Sequence, residues 1–348
     1  MSLTLTASTL GVALAAPIAG RVADRVGRKR VIVGAAFALA AASFLAATSA
    51  SLWQLIFWRF LQGVFTPGVF AVTIAYIHEQ WPPARAGAAT AAYVSGTVLG
   101  GFGGRFIAGI VAADVSWRTS FVVLGAIIAA AATVLWRMLP AGQPPAAELR
   151  GNSRIGSVRA LFRNPQLVSG FAVGFGVLFS LVALFTYVIF LLAAPPYSLS
   201  TTALGSVFFV YLIGAAITPF VGPVIDRRGH RHGMLVAASF GIVGASLTLA
   251  PNLVVILAGL ATCSTGVFIA QAAASSHVGA AAVKDRGLAV GLYATFYYIG
   301  GSAGASLPAM FWDRWGWPAC VLLVVAVQLG IAVVSILFWQ GRKAGQML

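Results

Sequence analysis

Apolar runs of about 20 residues, the length of helix needed to cross some 30 Å of hydrocarbon, recur along the whole chain. They fall near 3–19, 31–49, 53–77, 87–112, 117–138, 167–192, 199–222, 234–250, 252–280, 287–311 and 317–339. Inside a bilayer each backbone N–H and C=O must find its partner within the span, which leaves helices or closed barrels, and these runs are too long for barrel strands. The expected fold class is therefore all-α: a polytopic membrane protein of about 11 transmembrane helices. Composition agrees, because only 8% of residues are charged and 60% are hydrophobic, whereas a soluble domain carries about a quarter charged residues. The net charge of +15 would suit a nucleic-acid partner only on a water-facing domain, and no such domain is legible. Cys263 and Cys320 lie inside apolar runs and read as packed thiols. Residues 1–10 lack the basic start of a signal peptide.

Lys and Arg collect in cytoplasmic loops, so their distribution orients the chain. With the loop after the first run inside, eighteen basic residues, including Arg21, Arg25, Arg28, Lys29, Arg30, Arg85 and Arg137, are cytoplasmic, and only Arg118 and Arg314 are outside. The N-terminus is then outside and the C-terminus inside, in a membrane expected to be the bacterial inner one. The Pro-, Gly- and Arg-rich segment 139–166 reads as a cytoplasmic central loop, with Val158, Leu161 and Phe162 expected in a short turn on the inner membrane surface. It separates an N-terminal bundle (1–138) from a C-terminal bundle (167–341), followed by a cytoplasmic tail (342–348).

The two halves repeat. "PIAGRVADRVG" at 17–27 and "PFVGPVIDRRG" at 219–229 share six of eleven residues at a constant offset of 202, including Asp24/Asp226, Arg25/Arg227 and Gly27/Gly229. Arg85/Arg286 and Trp117/Trp317 follow at nearly the same offset. Duplicated membrane halves are the architecture in which two bundles rock around a central site.

"GRVADRVGRKR" resembles the signature that the major facilitator superfamily carries between its second and third helices. "RFLQGVFTPG" at 59–68 resembles the fourth-helix motif of that family. "GTVLGGFGGR" at 96–105 is similar to the fifth-helix glycine motif of its drug/proton antiporters, with Gly101 where that motif has proline and Arg105 where it has glycine. The resemblance implies two pseudo-symmetric bundles, a secondary transporter of a small molecule working by alternating access, and proton-coupled efflux or exchange. Set against the usual twelve helices of the family, five and six spans imply that the chain begins at the counterpart of the second.

The same resemblance assigns a cytoplasmic gate. Asp24 is expected near the helix starting at Gly287, Arg28 is expected to pair with Glu79, and Asp226, with Gly222, Arg227 and Gly229, to repeat the arrangement near Gly87. Gly20 and Gly27 are expected to allow a tight turn and close approach. The alternative is that the basic residues are topological anchors only. Arg59 is costly inside a span and should face a cavity or partner, with Gln62 on the same face; in the family this arginine is linked to proton coupling. All seven acids lie in loops or at span ends, so His277 is the in-chain candidate for titration, against a purely packed role. Phe65, Gln271 and Tyr297 are candidates for the substrate cavity. Gly96, Gly100 and Gly104 recur every fourth residue and are expected to pack helices closely. Prolines 17, 67, 219 and 308 suggest kinks.

No clustered catalytic residues and no phosphate-binding loop are legible. The chain is therefore not expected to be an enzyme or to need a cofactor or metal. The expected partners are a small-molecule substrate, protons and the lipid bilayer, with the protein a monomer. A non-transporting membrane receptor, or a regulatory or truncated relic of a transporter, is the alternative.

Overall fold

The computed structural model describes residues 2–81, 83–140, 155–214, 216–217, 229–282 and 286–339. Every regular element among them is helical. The eleven α-helices are α1 (Ser2–Val26), α2 (Arg28–Ala47), α3 (Leu52–Gln80), α4 (Pro83–Asp114), α5 (Trp117–Met138), α6 (Ile155–Phe162), α7 (Pro165–Ala193), α8 (Thr201–Ser206), α9 (His230–Leu247), α10 (Leu253–Ala281) and α11 (Arg286–Phe338). Seven of these described helices, α1, α2, α3, α5, α7, α10 and α11, are long and apolar enough to cross a membrane. Large apolar side chains such as Trp53, Leu322 and Leu337 point outward at about 70% exposure. Water would not tolerate that surface, but lipid tails do.

The helix starts carry their own stop signals. Ser51, Ser116, Asn164 and Asn252 stand just before α3, α5, α7 and α10, and their side chains accept hydrogen bonds from backbone N–H groups of the first turn. Such caps satisfy donors that have no partner within the helix. Pro165 follows Asn164 at the first helical position, where its missing N–H costs nothing. Pro17, Pro67 and Pro308 lie inside helices as expected; Pro219 lies outside the described residues.

The chain divides into two compact units, Met1–Asn152 with Leu199–Phe208, and Ser153–Ser198 with Phe209–Leu348. In the first, α3 packs on α1 and α2, and α2 on α5. Ala23, Ile32, Val72 and Tyr76 form a core cluster, flanked by Leu135 and Leu139. In the second, α7 packs along α11, and α9 against α10 and α11.

Two sequence expectations meet a different local structure. First, among the described residues a methyl group built on Gly96, Gly100 or Gly104 meets nothing within 4 Å, and the same holds for Gly20, where close helix contact was expected. The close crossings are elsewhere: Gly300 and Gly304 of α11 lie on the backbone of Phe175 and Phe179 of α7, and Gly11 and Gly63 join α1 to α3 at Phe60 and Ser8. In α6, Phe162 is 44% exposed. Leu161 is buried, and the Phe162 ring stands edge-on to Phe171 and Phe296, which stack on each other at 5.6 Å. Second, residues 312–316, left between the expected spans 287–311 and 317–339, do not form a loop. α11 is helical up to Trp315 and breaks at one residue, Gly316 (φ 68°, ψ −155°), before resuming.

Candidate functional site

The turn between α1 and α2 is made by one residue. Gly27 has φ 102° and ψ 132°, and Gly229, its partner in the repeat, has φ 90° and ψ 152°. Side-chain-bearing residues rarely enter this region, which accounts for glycine at both positions. Immediately after the turn, the Arg28 guanidinium stands 2.7 Å from the Glu79 carboxylate at the end of α3 and donates to the Ala75 carbonyl at 2.7 Å. The structure thus brings Arg28 and Glu79 together across two helix ends. Arg25 is exposed. The Asp24 side chain, Gly222, Asp226 and Arg227 lie outside the described residues.

Within the first unit a polar chain crosses three helices. Arg59 Nη1 donates to Gln62 Oε1 at 2.6 Å, Gln62 Nε2 donates to Ser43 Oγ at 2.8 Å, and Ser43 Oγ donates to the Leu39 carbonyl at 2.8 Å. Arg59 Nη2 lies 3.5 Å from Ser8 Oγ, and its guanidinium carbon is 6.0 Å from the Phe121 ring centre. The spacing of one helical turn puts Arg59 and Gln62 on one face of α3. Because the arginine can only donate, it fixes the Gln62 amide with its oxygen toward Arg59 and its nitrogen toward α2. Gln62 and Ser43 are buried, so each link satisfies a group that would be costly unpaired. Ser8 and Ser43 belong to this chain, and sequence reasoning missed them: a serine in an apolar helix usually bonds its own preceding turn, and nothing in the sequence marks these two. Arg105 lies over the Phe208 ring at 5.1 Å and donates to the Gly101 carbonyl at 2.7 Å. Phe65 is half-buried on α3.

In the second unit Tyr297 Oη donates to Gln271 Oε1 at 3.1 Å, joining α11 to α10. The bond leaves both N–H donors of the Gln271 amide for other partners. Tyr298 is perpendicular to Tyr297 at 5.5 Å, and Tyr293 lies 6.0 Å from it. The Tyr293 hydroxyl is buried without a hydrogen-bond partner among the described residues, which marks this cluster as polar-rich and incompletely satisfied. His277 lies apart from it: its ring stacks on Trp339 at 4.0 Å, and Nε2 is 3.2 Å from the Gln166 carbonyl. That is a packed arrangement. Phe179, Tyr187 and Phe296, aromatic residues of the same apolar runs, are also occupied in packing; Tyr187 Oη donates to the Ala305 carbonyl at 3.0 Å.

Apolar helices long enough to cross a membrane, with every regular element among the described residues helical, define an integral membrane protein. The chain belongs to the Major Facilitator Superfamily, whose sequence model matches residues 1–282 and, a second time, 181–346. It is 31% identical over 336 residues to the inner membrane transport protein YnfM of Escherichia coli (strain K12), covering 94% of this chain and 80% of that protein. It is 29% identical over 329 residues to YybF of Bacillus subtilis (strain 168), described as an uncharacterized MFS-type transporter, with 94% and 81% covered. The crystal structure of a mutant of the nucleoside transporter NupG has the same fold, with a TM-score of 0.76 at 17% identity, covering 97% of this chain and 91% of that one.

Proposed function

We propose that this protein is a secondary active transporter that moves a small molecule across the bacterial inner membrane by alternating access, coupled to protons, as efflux or exchange in the manner of drug/proton antiporters. The observation that carries the reading is Arg59: a permanent cation inside an apolar span, held by Gln62 and Ser8, both neutral. A carboxyl group brought near such a charge gives up its proton more readily. Proton occupancy of that group then depends on which conformation or ligand places it there, and this dependence is what coupling requires. Tyr297 and Gln271 supply a polar contact with an aromatic surround in the other unit, suited to a planar or apolar solute with a hydrogen-bonding edge. The repeated Gly27 and Gly229 turns and the Arg28–Glu79 pair support a gate, with Asp24 and Asp226 as its acidic members. The excess of Lys and Arg in the loops of that side supports a cytoplasmic position for the gate. The protein acts as a monomer, each chain holding both bundles.

Proteoliposomes with a pH-sensitive dye trapped inside test the reading. Adding a transported solute should move the internal pH, and an imposed pH gradient should drive that solute uphill. Solute flux at the same rate with and without the gradient would remove coupling while leaving transport. A lack of exchange with any of a broad solute panel would remove transport itself.

A further inference from the structure

One cavity of the first unit has no part in the transport reading. It has a volume of about 320 Å³ and lies among α2, α3, α4 and α5, against Ile32, Thr73, Tyr76, Ile77, Leu135 and Leu139. The two hydroxyls on its wall are turned to backbone: Thr73 Oγ1 donates to the Val69 carbonyl at 2.5 Å, and Tyr76 Oη to the Pro140 carbonyl at 2.8 Å. A bound water needs two to four polar partners, whereas a dry apolar cavity of about 150 Å³ already accepts benzene. The interior therefore suits hydrocarbon and not a polar solute.

Its edge has the opposite chemistry. Lys29 lies one turn before Ile32 on the same face of α2, and its ammonium donates to the carbonyl of Leu139, itself a wall residue. An ammonium has three donors, so others remain to be shared. The neighbouring Arg28 pairs with Glu79 at 2.7 Å, so among the described residues Lys29 is a cation held at the rim, with Arg25 and Arg30 exposed on the same helix ends. Trp81 also borders the cavity and is 41% exposed, as a ring straddling lipid and headgroups is. We propose that this is a binding site for an anionic phospholipid, with one acyl chain in the cavity and its phosphate on Lys29.

The test is native mass spectrometry of the detergent-purified protein, exchanged with phosphatidylglycerol and phosphatidylcholine of identical chains. One surface cation is worth about fivefold in anionic-lipid binding. The wild type should retain phosphatidylglycerol over phosphatidylcholine by about that factor. Lys29→Ala should lose the preference while holding phosphatidylcholine as before, and Lys29→Arg should keep it. Ala89→Phe, which projects a ring into the cavity, should release both lipids; Ile77→Trp is a second filling variant should the first not yield folded protein. Equal retention of the two lipids by the wild type, or an unchanged preference in Lys29→Ala, overturns the headgroup assignment. Undiminished retention in a folded filling variant overturns the acyl-chain assignment. Displacement of phosphatidylglycerol by glycerol phosphate at matched concentration also overturns it, because the site would then bind a free anion.

Discussion

Replacing Gly300 by alanine should loosen the second unit, and replacing Gly100 should not. An alanine Cβ at 300 would lie 2.6 Å from the carbonyl carbon and 2.7 Å from the Cα of Phe175, where carbon atoms prefer about 3.5–4.0 Å. The colliding atoms are backbone, so no rotamer change relieves them, and α7 and α11 must separate. Overpacking of this kind costs about 1–3 kcal/mol. The loss is offset by the roughly 0.5–1 kcal/mol that alanine gains over glycine within a helix. Because the clash is with backbone at under 3 Å, the cost lies toward the upper end, and the net expectation is a destabilisation of up to about 2.5 kcal/mol. Gly304→Ala should behave alike through Phe179, and the double variant should fall short of the sum because both press on one interface. At Gly100 nothing lies within 4 Å, so only the helical gain of about 0.5–1 kcal/mol remains. Denaturant unfolding of the purified protein in detergent, followed by tryptophan fluorescence, measures both. A Gly300→Ala variant as stable as the parent, or a Gly100→Ala variant as damaged as Gly300→Ala, would refute the packing argument.

Arg59→Ala should reduce flux in proteoliposomes by at least tenfold, because hydrogen bonds to a charged group are worth about 1.5–3 kcal/mol; normal flux with an intact circular dichroism spectrum would remove Arg59 from the mechanism. A double-mutant cycle with Arg28→Gln and Glu79→Gln should give a coupling of about 0.5–1 kcal/mol in unfolding free energy, since the pair is partly exposed at 28% and 18%; a coupling of zero would mean that the contact holds nothing together. Gly27→Ala and Gly229→Ala should each cost about 1–3 kcal/mol of backbone strain, and thermal melts in which only one variant is affected would break the equivalence of the two turns.

The spans and the repeat were readable from the chain because they depend on composition and local chemistry. The Arg28–Glu79 proximity was reachable as well, since a signature fixes which helix ends meet. Packing was not. The four-residue spacing of Gly96, Gly100 and Gly104 is indistinguishable in sequence from that of Gly300 and Gly304, and only the facing helix decides which pair is pressed against backbone. The hydroxyls of Ser8 and Ser43 that complete the Arg59 chain come from helices far away in sequence, a relation that periodicity does not carry. Leu161 and Phe162 read as membrane-surface residues, and only the neighbouring helices show that Leu161 is buried while Phe162, 44% exposed, keeps its ring edge-on to Phe171 and Phe296.

The break at Gly316 is mechanical as much as conformational. One residue joins the two limbs of α11, and directly after it Trp317 Nε1 donates to the Thr248 carbonyl at 3.0 Å. A joint this short has no slack. The first limb cannot slide along its axis while the second stays still, so a tilt imposed on residues 286–315 passes as torque through Gly316 to residues 317–338 and the end of α9. Inserting glycines beside Gly316 would lengthen this joint and should uncouple the tilt of residues 286–315 from residues 317–338, which remain tied to the end of α9 through Trp317 and Thr248.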